Sequence, residues 1–335
     1  MDYRSLGNSG LRVSTLCLGT ARFGEETDLA TARKIIAAAQ DAGVNFIDTA
    51  DQYNEGCAES ILGKVLAGER DRWVLATKAG SPTADAKGRS GLGRAWLMRQ
   101  IDRSLKRLAT DYVDIFYFHR DDPETSLDEA VQAVGDIVRA GKARYFGLSN
   151  FSGWRIAQVS AACDRLGVAR PIVCQPYYNA MNRMAEVDVI PSAAAHGLGV
   201  VPYSPLSRGV LAGRYKPGAP PPADTRGARG DKRVVAVDMR EESIVYAEAL
   251  GDYAASRGMS LPAYAINWVL NNRYVTSVLC GPRTLAHWQG YVAALDHKFS
   301  SEDEAILDTL VPPGHASTPG FTDPQYPVTG RQPRN

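Results

Sequence analysis

Short runs of apolar and β-branched residues alternate along the chain with longer stretches whose apolar positions recur every three to four residues. Leu16–Gly19, Val44–Asp48, Trp73–Lys78, Tyr112–His119, Ala143–Leu148, Ile172–Gln175, Gly199–Tyr203 and Thr276–Cys280 read as eight strands. Helical periodicity fills the gaps at Leu29–Ala42, Trp96–Leu108, Leu127–Ala140, Trp154–Leu166, Ala185–His196, Glu241–Arg257 and Thr284–Leu295. In Trp96–Leu108, for example, Leu97, Ile101, Leu105 and Leu108 fall on one face. Strands alternating with helices predict a parallel sheet with crossovers, and nearly continuous apolar strands predict a sheet covered on one face and filled on the other. Two closures satisfy this pattern: an open doubly wound sheet and a closed (β/α)8 TIM barrel.

A doubly wound dinucleotide domain carries GxGxxG after its first strand. The nearest run here, Gly91-Leu92-Gly93-Arg94-Ala95-Trp96, lacks the third glycine and follows no strand. Eight units in 335 residues therefore favour an α/β fold closed as a barrel with long loops at the C-terminal face of the strands. The expected organisation is a barrel over residues 1–310 and a Pro/Gly-rich tail over 311–335. Pro217–Gly230 reads as a long loop after the seventh strand, and the tail as a surface wrap or a frayed end.

Composition narrows the function classes. Lys+Arg is 38 and Asp+Glu is 37, so the net charge is +1, with no global pull toward nucleic acid or an anionic membrane. At 44% hydrophobic and 22% charged residues the chain is ordinary globular material. The five cysteines are odd in number, widely spaced and free of CxxC, which argues against a disulfide framework or zinc site and for a reducing compartment. The first residues show no charged segment followed by an apolar one, and no apolar run nears the ~20 residues that span a bilayer. The expectation is a cytoplasmic protein without membrane or nucleic-acid partners; oligomeric state is left open.

In a barrel, chemistry sits where strands end. The second strand ends in Asp48, with Tyr53 in the loop after it; the third ends in Lys78, the fourth in His119, the fifth in Ser149-Asn150, the sixth in Gln175 and the seventh in Tyr203-Ser204. Taken singly, a strand-end lysine is usually a solvated charge and a strand-end histidine a structural residue. Together they weigh differently, because Asp48 and Lys78 both abut apolar strand residues that should be buried, and a buried lysine needs a carboxylate partner. A metal-dependent lyase or hydrolase would need more carboxylates at these ends than Asp48 alone.

These residues stand in the segments FIDTADQYNEGCAES (46–60), LATK (75–78), SLKRLATDYVDIFYFHR (104–120), GLSNFS (147–152) and YSPLSRGVLAGRY (203–215). With the opening YRSLGNSGLRVSTLCLGT (3–20), they resemble the aldo-keto reductase superfamily in order and spacing from about residue 3 to 296. The resemblance implies a (β/α)8 barrel that binds a nicotinamide cofactor without a dinucleotide-binding domain, and a catalytic tetrad of Asp48, Tyr53, Lys78 and His119. It implies hydride transfer between nicotinamide C4 and a carbonyl carbon. Tyr53 would supply the proton, Lys78 would lower the phenol's pKa, Asp48 would hold Lys78, and His119 would orient the carbonyl.

The resemblance also implies the cofactor contacts. Ser149, Asn150 and Gln175 would take the carboxamide, and Tyr203 would stack on the ring. Ser204, Leu206 and Gly209 would lie along the pyrophosphate. Gly281, Arg283 and Thr284 sit at a strand-to-helix turn whose amides and guanidinium suit the 2′-phosphate of NADP, with NAD as the other option. His287 and Gly290-Tyr291 stand where many relatives carry a Gln and a Glu-Asn pair, so the adenosine contacts depart from the family pattern. Arg22, Phe23, Arg120, Asp121 and the segment Ala79–Gly93 are expected at the mouth. Arg120-Asp121 would form a polar wall suited to a hydroxylated or anionic carbonyl compound, unless the two charges only pair locally. The expected partner is a small carbonyl or alcohol substrate. The rival reading is a regulatory subunit of the same family that senses nicotinamide redox state for another protein.

Overall fold

The computed structural model describes residues 1–83 and 91–327 of the 335. A hairpin of β1 (Tyr3–Ser5) and β2 (Arg12–Ser14) comes first. The eight parallel strands follow as β3 (Leu16–Gly19), β4 (Phe46–Asp48), β5 (Val74–Ala79), β6 (Val113–Phe118), β7 (Ala143–Ser149), β8 (Val173–Gln175), β9 (Gly199–Val200) and β10 (Val278–Cys280). Their order is β10-β3-β4-β5-β6-β7-β8-β9. Parallel bridges Val200↔Val275 and Tyr203↔Leu279 join the last strand in that order back to the first. The sheet is therefore a closed TIM barrel.

The period of the strands explains the two cores. Leu18, Ile47, Leu75, Phe116 and Phe118 face outward into the layer shared with the helices, while Cys17, Phe46, Ala76, Ile115 and Tyr117 alternate inward. Tyr117 fills the barrel opposite Gly147, where any Cβ would lie 2.5 Å from Val173 and 2.7 Å from Tyr117. The N-terminal hairpin plugs the bottom with Leu6 and Val13. Gly7, at φ +56°, lies so close to the backbone of Ile172, Gly197 and Gly199 that a Cβ would overlap it.

The helices are α1 (Leu29–Asp41), α2 (Cys57–Val65), α3 (Arg94–Leu108), α4 (Leu127–Arg139), α5 (Gly153–Leu166), α6 (Val189–Ala195), α7 (Glu241–Ser256), α8 (Leu261–Asn271), α9 (Leu285–Ala293) and α10 (Ser301–Leu310). Side chains cap several of them: Asp28 accepts from Thr31 N at 2.8 Å, and Ser300 and Asp303 form a reciprocal box at α10. Helices α2, α8 and α10 are additional to those read from the sequence.

The loop 213–233 does not hang free. Arg226 pairs with Asp231, and Arg229 reaches Glu26 on the β3–α1 connection. The tail from Val311 also docks. Arg183 holds Val311 O at 2.8 Å, Ser317 meets Ser243, and Asp323 takes both guanidinium nitrogens of Arg233. Residues 328–335 lie outside the described residues. No helix among the described residues is long and apolar enough to cross a membrane.

Candidate active site

The inward-facing register runs straight into the polar site. Two residues beyond inward-facing Phe46 stands Asp48; beyond Ala76 stands Lys78; beyond Tyr117, His119; beyond Gly147, Ser149; beyond Val173, Gln175; beyond Val201, Tyr203. The barrel interior is thus apolar up to one layer from its C-terminal rim, and the last layer is polar. Above it opens a cavity of about 810 Å³, lined by Asp48, Tyr53, His119, Ser149, Asn150, Gln175 and Tyr203 among others.

Lys78 is the hub. It is fully buried and ion-paired with Asp48, which is equally buried. Its ammonium also donates to Thr49 O at 2.8 Å and to the Tyr53 hydroxyl at 3.2 Å. An ammonium has three hydrogens and no lone pair, so all three are committed and the Tyr53 oxygen must accept. The phenol's own proton is then free to point into the cavity. Gln175 Nε2 donates to the second oxygen of Asp48 at 2.9 Å and completes that carboxylate's shell. Burial pushes the Asp48 carboxyl up while Lys78 and Gln175 pull it back, and the Asp48 charge keeps Lys78 above the usual ammonium value despite burial.

Burial raises the Tyr53 phenol above its ordinary value, and the adjacent ammonium only partly opposes this. Lys78 does pull the phenol downward, as expected, but desolvation is the larger effect, so the net shift is upward and Tyr53 rests protonated. The His119 ring lies 5.9 Å from the Tyr53 ring at 82°. Its pKa is held well below the ordinary value by burial, then by the charges of Lys78 and Arg120. A neutral imidazole can donate one hydrogen bond without competing for the proton.

Backbone strain gathers at the rim. Asn54, Glu55, Asn150, Ser204, Ser207 and Arg208 have positive φ, and of the non-glycine residues only Ala109, at the end of α3, shares this elsewhere among the described residues. Such conformations cost about 1–3 kcal/mol each and persist where contacts over-determine them. Asn54 is pinned by bonds to Ala21 O and Phe23 O. Asn150 donates to His119 O at 2.8 Å and accepts from Tyr203 OH at 2.8 Å. Arg208 pairs with buried Asp238, which also accepts from Tyr177 and Ser207. Sequence reasoning missed this network; the arginine within YSPLSRGV was its one visible sign.

Ser149, Asn150, Gln175, Tyr203, Ser204, Leu206, Gly209, Gly281 and Arg283 all line the one cavity. Thr284 does not line it; it caps α9, its hydroxyl accepting from His287 N at 3.2 Å. Arg283 is loosely held, 3.8 Å from Glu26 and 3.5 Å from Asp224 O. At Gly281 an added Cβ would meet only Gly19 O at 3.8 Å, and at Gly290 nothing within 4 Å, so bare backbone leaves room at this end. A flat aromatic face, unencumbered glycines, a helix start and a loosely held arginine fit an elongated ligand with a planar ring and phosphates.

Two expectations at the mouth are corrected. Phe23 is fully buried in the outer core and does not line the cavity; only its backbone carbonyl meets the rim, accepting from Asn54 Nδ2 at 2.7 Å. Asp121 is drawn to Arg155 at 2.9 Å on α5, and does not line the cavity either. Arg22 and Arg120 do line it. Of the segment 79–93, Ser81 lines the cavity, while 84–90 lie outside the described residues.

A family model described as the aldo/keto reductase family matches residues 15–312. An oxidoreductase of Bacillus subtilis (strain 168) is 36% identical over 330 residues, covering 95% of this chain and 98% of the relative. An L-glyceraldehyde 3-phosphate reductase of Escherichia coli (strain K12) is 33% identical, covering 94% and 93%. A probable voltage-gated potassium channel subunit beta of Arabidopsis thaliana is 36% identical, covering 88% and 92%.

Proposed function

The chain belongs to the aldo/keto reductase family, and from that premise we propose that this oxidoreductase uses NADPH to reduce an aldehyde, ketone or sugar carbonyl, with Tyr53 as the proton donor. The observation that carries this reading is the triple commitment of Lys78, which leaves the Tyr53 proton free to leave toward the cavity. The nicotinamide, when bound, would supply hydride to the carbonyl carbon. As the carbonyl oxygen gains negative charge, Tyr53 gives it a proton, and the phenolate left behind is stabilised by the Lys78 ammonium 3.2 Å away. The neutral His119 donates a hydrogen bond to the same oxygen and fixes its angle. Asp48 and Gln175 keep Lys78 in place through the cycle. The same groups run in reverse for alcohol oxidation.

For the cofactor, Ser149, Asn150 and Gln175 would bind the carboxamide and Tyr203 would support the ring. Ser204, Leu206 and Gly209 would follow the pyrophosphate. Gly281, Arg283 and Thr284 would serve the 2′-phosphate, with Arg283 in direct contact and Thr284 shaping the helix start. The preference for NADP over NAD rests on Arg283, whose nearest carboxylate is beyond hydrogen-bond distance. Fluorescence titration with NADPH and NADH tests it. NADPH should bind at least ~10-fold tighter, and Arg283→Ala should abolish the difference, as expected for loss of a charge-assisted bond. Equal affinities in the wild type would remove the NADP preference.

The plant relative named as a probable channel subunit keeps a second reading in view, a nicotinamide-redox sensor for a partner protein. The complete tetrad favours turnover. Repeated cycling of a carbonyl substrate separates the two, since a sensor would stall after one exchange.

A further inference from the structure

Seven arginines line the cavity. Six have a carboxylate oxygen within 3.8 Å. The seventh, Arg120, makes neither hydrogen bond nor ion pair among the described residues, although acidic residues follow it directly in sequence. Asp121 is turned away and held by Arg155, and Asp122 is occupied by Leu92 N at 2.8 Å and by Thr125. Among the described residues, the only carboxylates on the cavity wall are Asp48, locked to Lys78, and Glu25, paired with Arg22. Among the described residues Arg120 is thus an uncompensated cation, directly after His119 at the reacting end of the cavity.

Its surroundings are polar. Gln52, Ser81 and Gln325 line the same cavity with side chains that make no hydrogen bonds among the described residues. Tyr326, brought in by the docked tail, lies within electrostatic range of Arg120. A half-buried guanidinium with no counter-ion among the described residues, beside unspent donors and acceptors, suits an anion on a hydroxylated chain.

We propose that Arg120 binds an anionic group of the substrate, so that the preferred substrates are short aldehydes or ketones carrying a phosphate or carboxylate. This rests on the reductase reading above. The anion takes no part in the bond changes. Hydride goes to the carbonyl carbon, the Tyr53 proton goes to its oxygen, and the phosphate or carboxylate leaves unchanged on the alcohol.

The test compares matched substrates in wild type, Arg120→Gln and Arg120→Lys. One pair is glyceraldehyde and glyceraldehyde 3-phosphate; the other is butanal and 4-oxobutanoate. The wild type should prefer the anionic member of at least one pair. Arg120→Gln should cut kcat/KM for that member roughly 10- to 100-fold, chiefly through KM, while shifting the neutral member no more than about three-fold. Arg120→Lys should recover part of the loss, since it restores charge without the fork. The pair that responds more identifies phosphate or carboxylate. Equal losses on both members, or no anion preference in the wild type, would overturn the proposal.

A second readout does not depend on turnover. Calorimetric binding of glycerol 3-phosphate and 4-hydroxybutanoate, with glycerol as the neutral control, should be seen in the wild type and lost in Arg120→Gln. Binding that is absent from the wild type, or retained in the variant, would overturn the assignment of Arg120. Selective binding without turnover of any carbonyl would instead leave Arg120 in place and sink the reductase reading.

Discussion

Asp51 lies one layer behind the Lys78–Tyr53 pair and offers a sharp physical test of the site's architecture. It is 3% exposed, its backbone N–H donates to Lys78 O at 3.0 Å, and neither carboxyl oxygen has a hydrogen-bond partner among the described residues. Fully buried Glu59 on α2 faces it and is already engaged by Thr77 and by Arg107 at 2.7 Å. Burial and the Glu59 charge push the Asp51 carboxyl up to about 8, with Arg107 and Lys78 opposing. The folded chain therefore takes up a proton there that the unfolded chain, with the ordinary value near 3.8, gives away. The stabilisation from that proton is complete below about pH 4 and is lost as pH rises through about 8, at up to ~1.4 kcal/mol per pH unit. Between pH 6 and 9 the loss amounts to roughly 2–3 kcal/mol. Asp51→Asn keeps the shape and cannot ionise. Urea unfolding of both proteins, followed by tryptophan fluorescence at constant ionic strength, isolates this group from every other titration. The variant should gain about 2–3 kcal/mol relative to the wild type from pH 6 to 9, and a difference constant to within about 0.5 kcal/mol would refute the buried, protonated carboxyl. Since ionised Asp51 also raises the Tyr53 phenol, the same titration should tighten the phenol's hold on its proton above pH 8.

Further outcomes follow from the same geometry. Lys78→Met leaves Asp48 buried beside only Gln175, and should cost about 3–5 kcal/mol of stability along with activity, whereas the double change with Asp48→Leu should recover much of the stability. His119 stays neutral, so the kcat/KM profile should be flat from about pH 6 to 8, and a protonation limb near 6.5 would contradict its assignment.

Much of the fold was legible in the strands. Each of the eight apolar runs overlaps an observed strand; β5 and β7 run one residue further, and β9 is the shortest, Gly199–Val200 within the expected 199–203. Helix α8 escaped because its sequence, LPAYAINWVLN, is apolar nearly all round and buried, so no polar face marks its period. Helix α10 does carry a local sequence signal, the Ser300–Asp303 capping box. In the site, strand-end reasoning marked Asp48, Lys78 and His119, and the inward parity of β4, β5 and β6 does deliver them to one rim, whereas their grouping with Tyr53 as a tetrad came from the family resemblance. The orientation of loop residues was not. Phe23 packs into the outer core, and Asp121 is held by Arg155, 34 positions away, which no local pattern encodes. For the same reason the Asp51–Glu59 layer, joined across β4, α2 and α3, had no sequence signature.

The central claim is that Tyr53, freed by Lys78, donates the proton that completes carbonyl reduction. Stopped-flow measurement of NADPH oxidation by a saturating aldehyde, in wild type and Tyr53→Phe preloaded with cofactor, tests it most directly. The account predicts multiple turnovers in the wild type, and a rate reduced by at least ~10²-fold in the variant with NADPH binding unchanged. A variant that oxidises NADPH within a few-fold of the wild-type rate would contradict it.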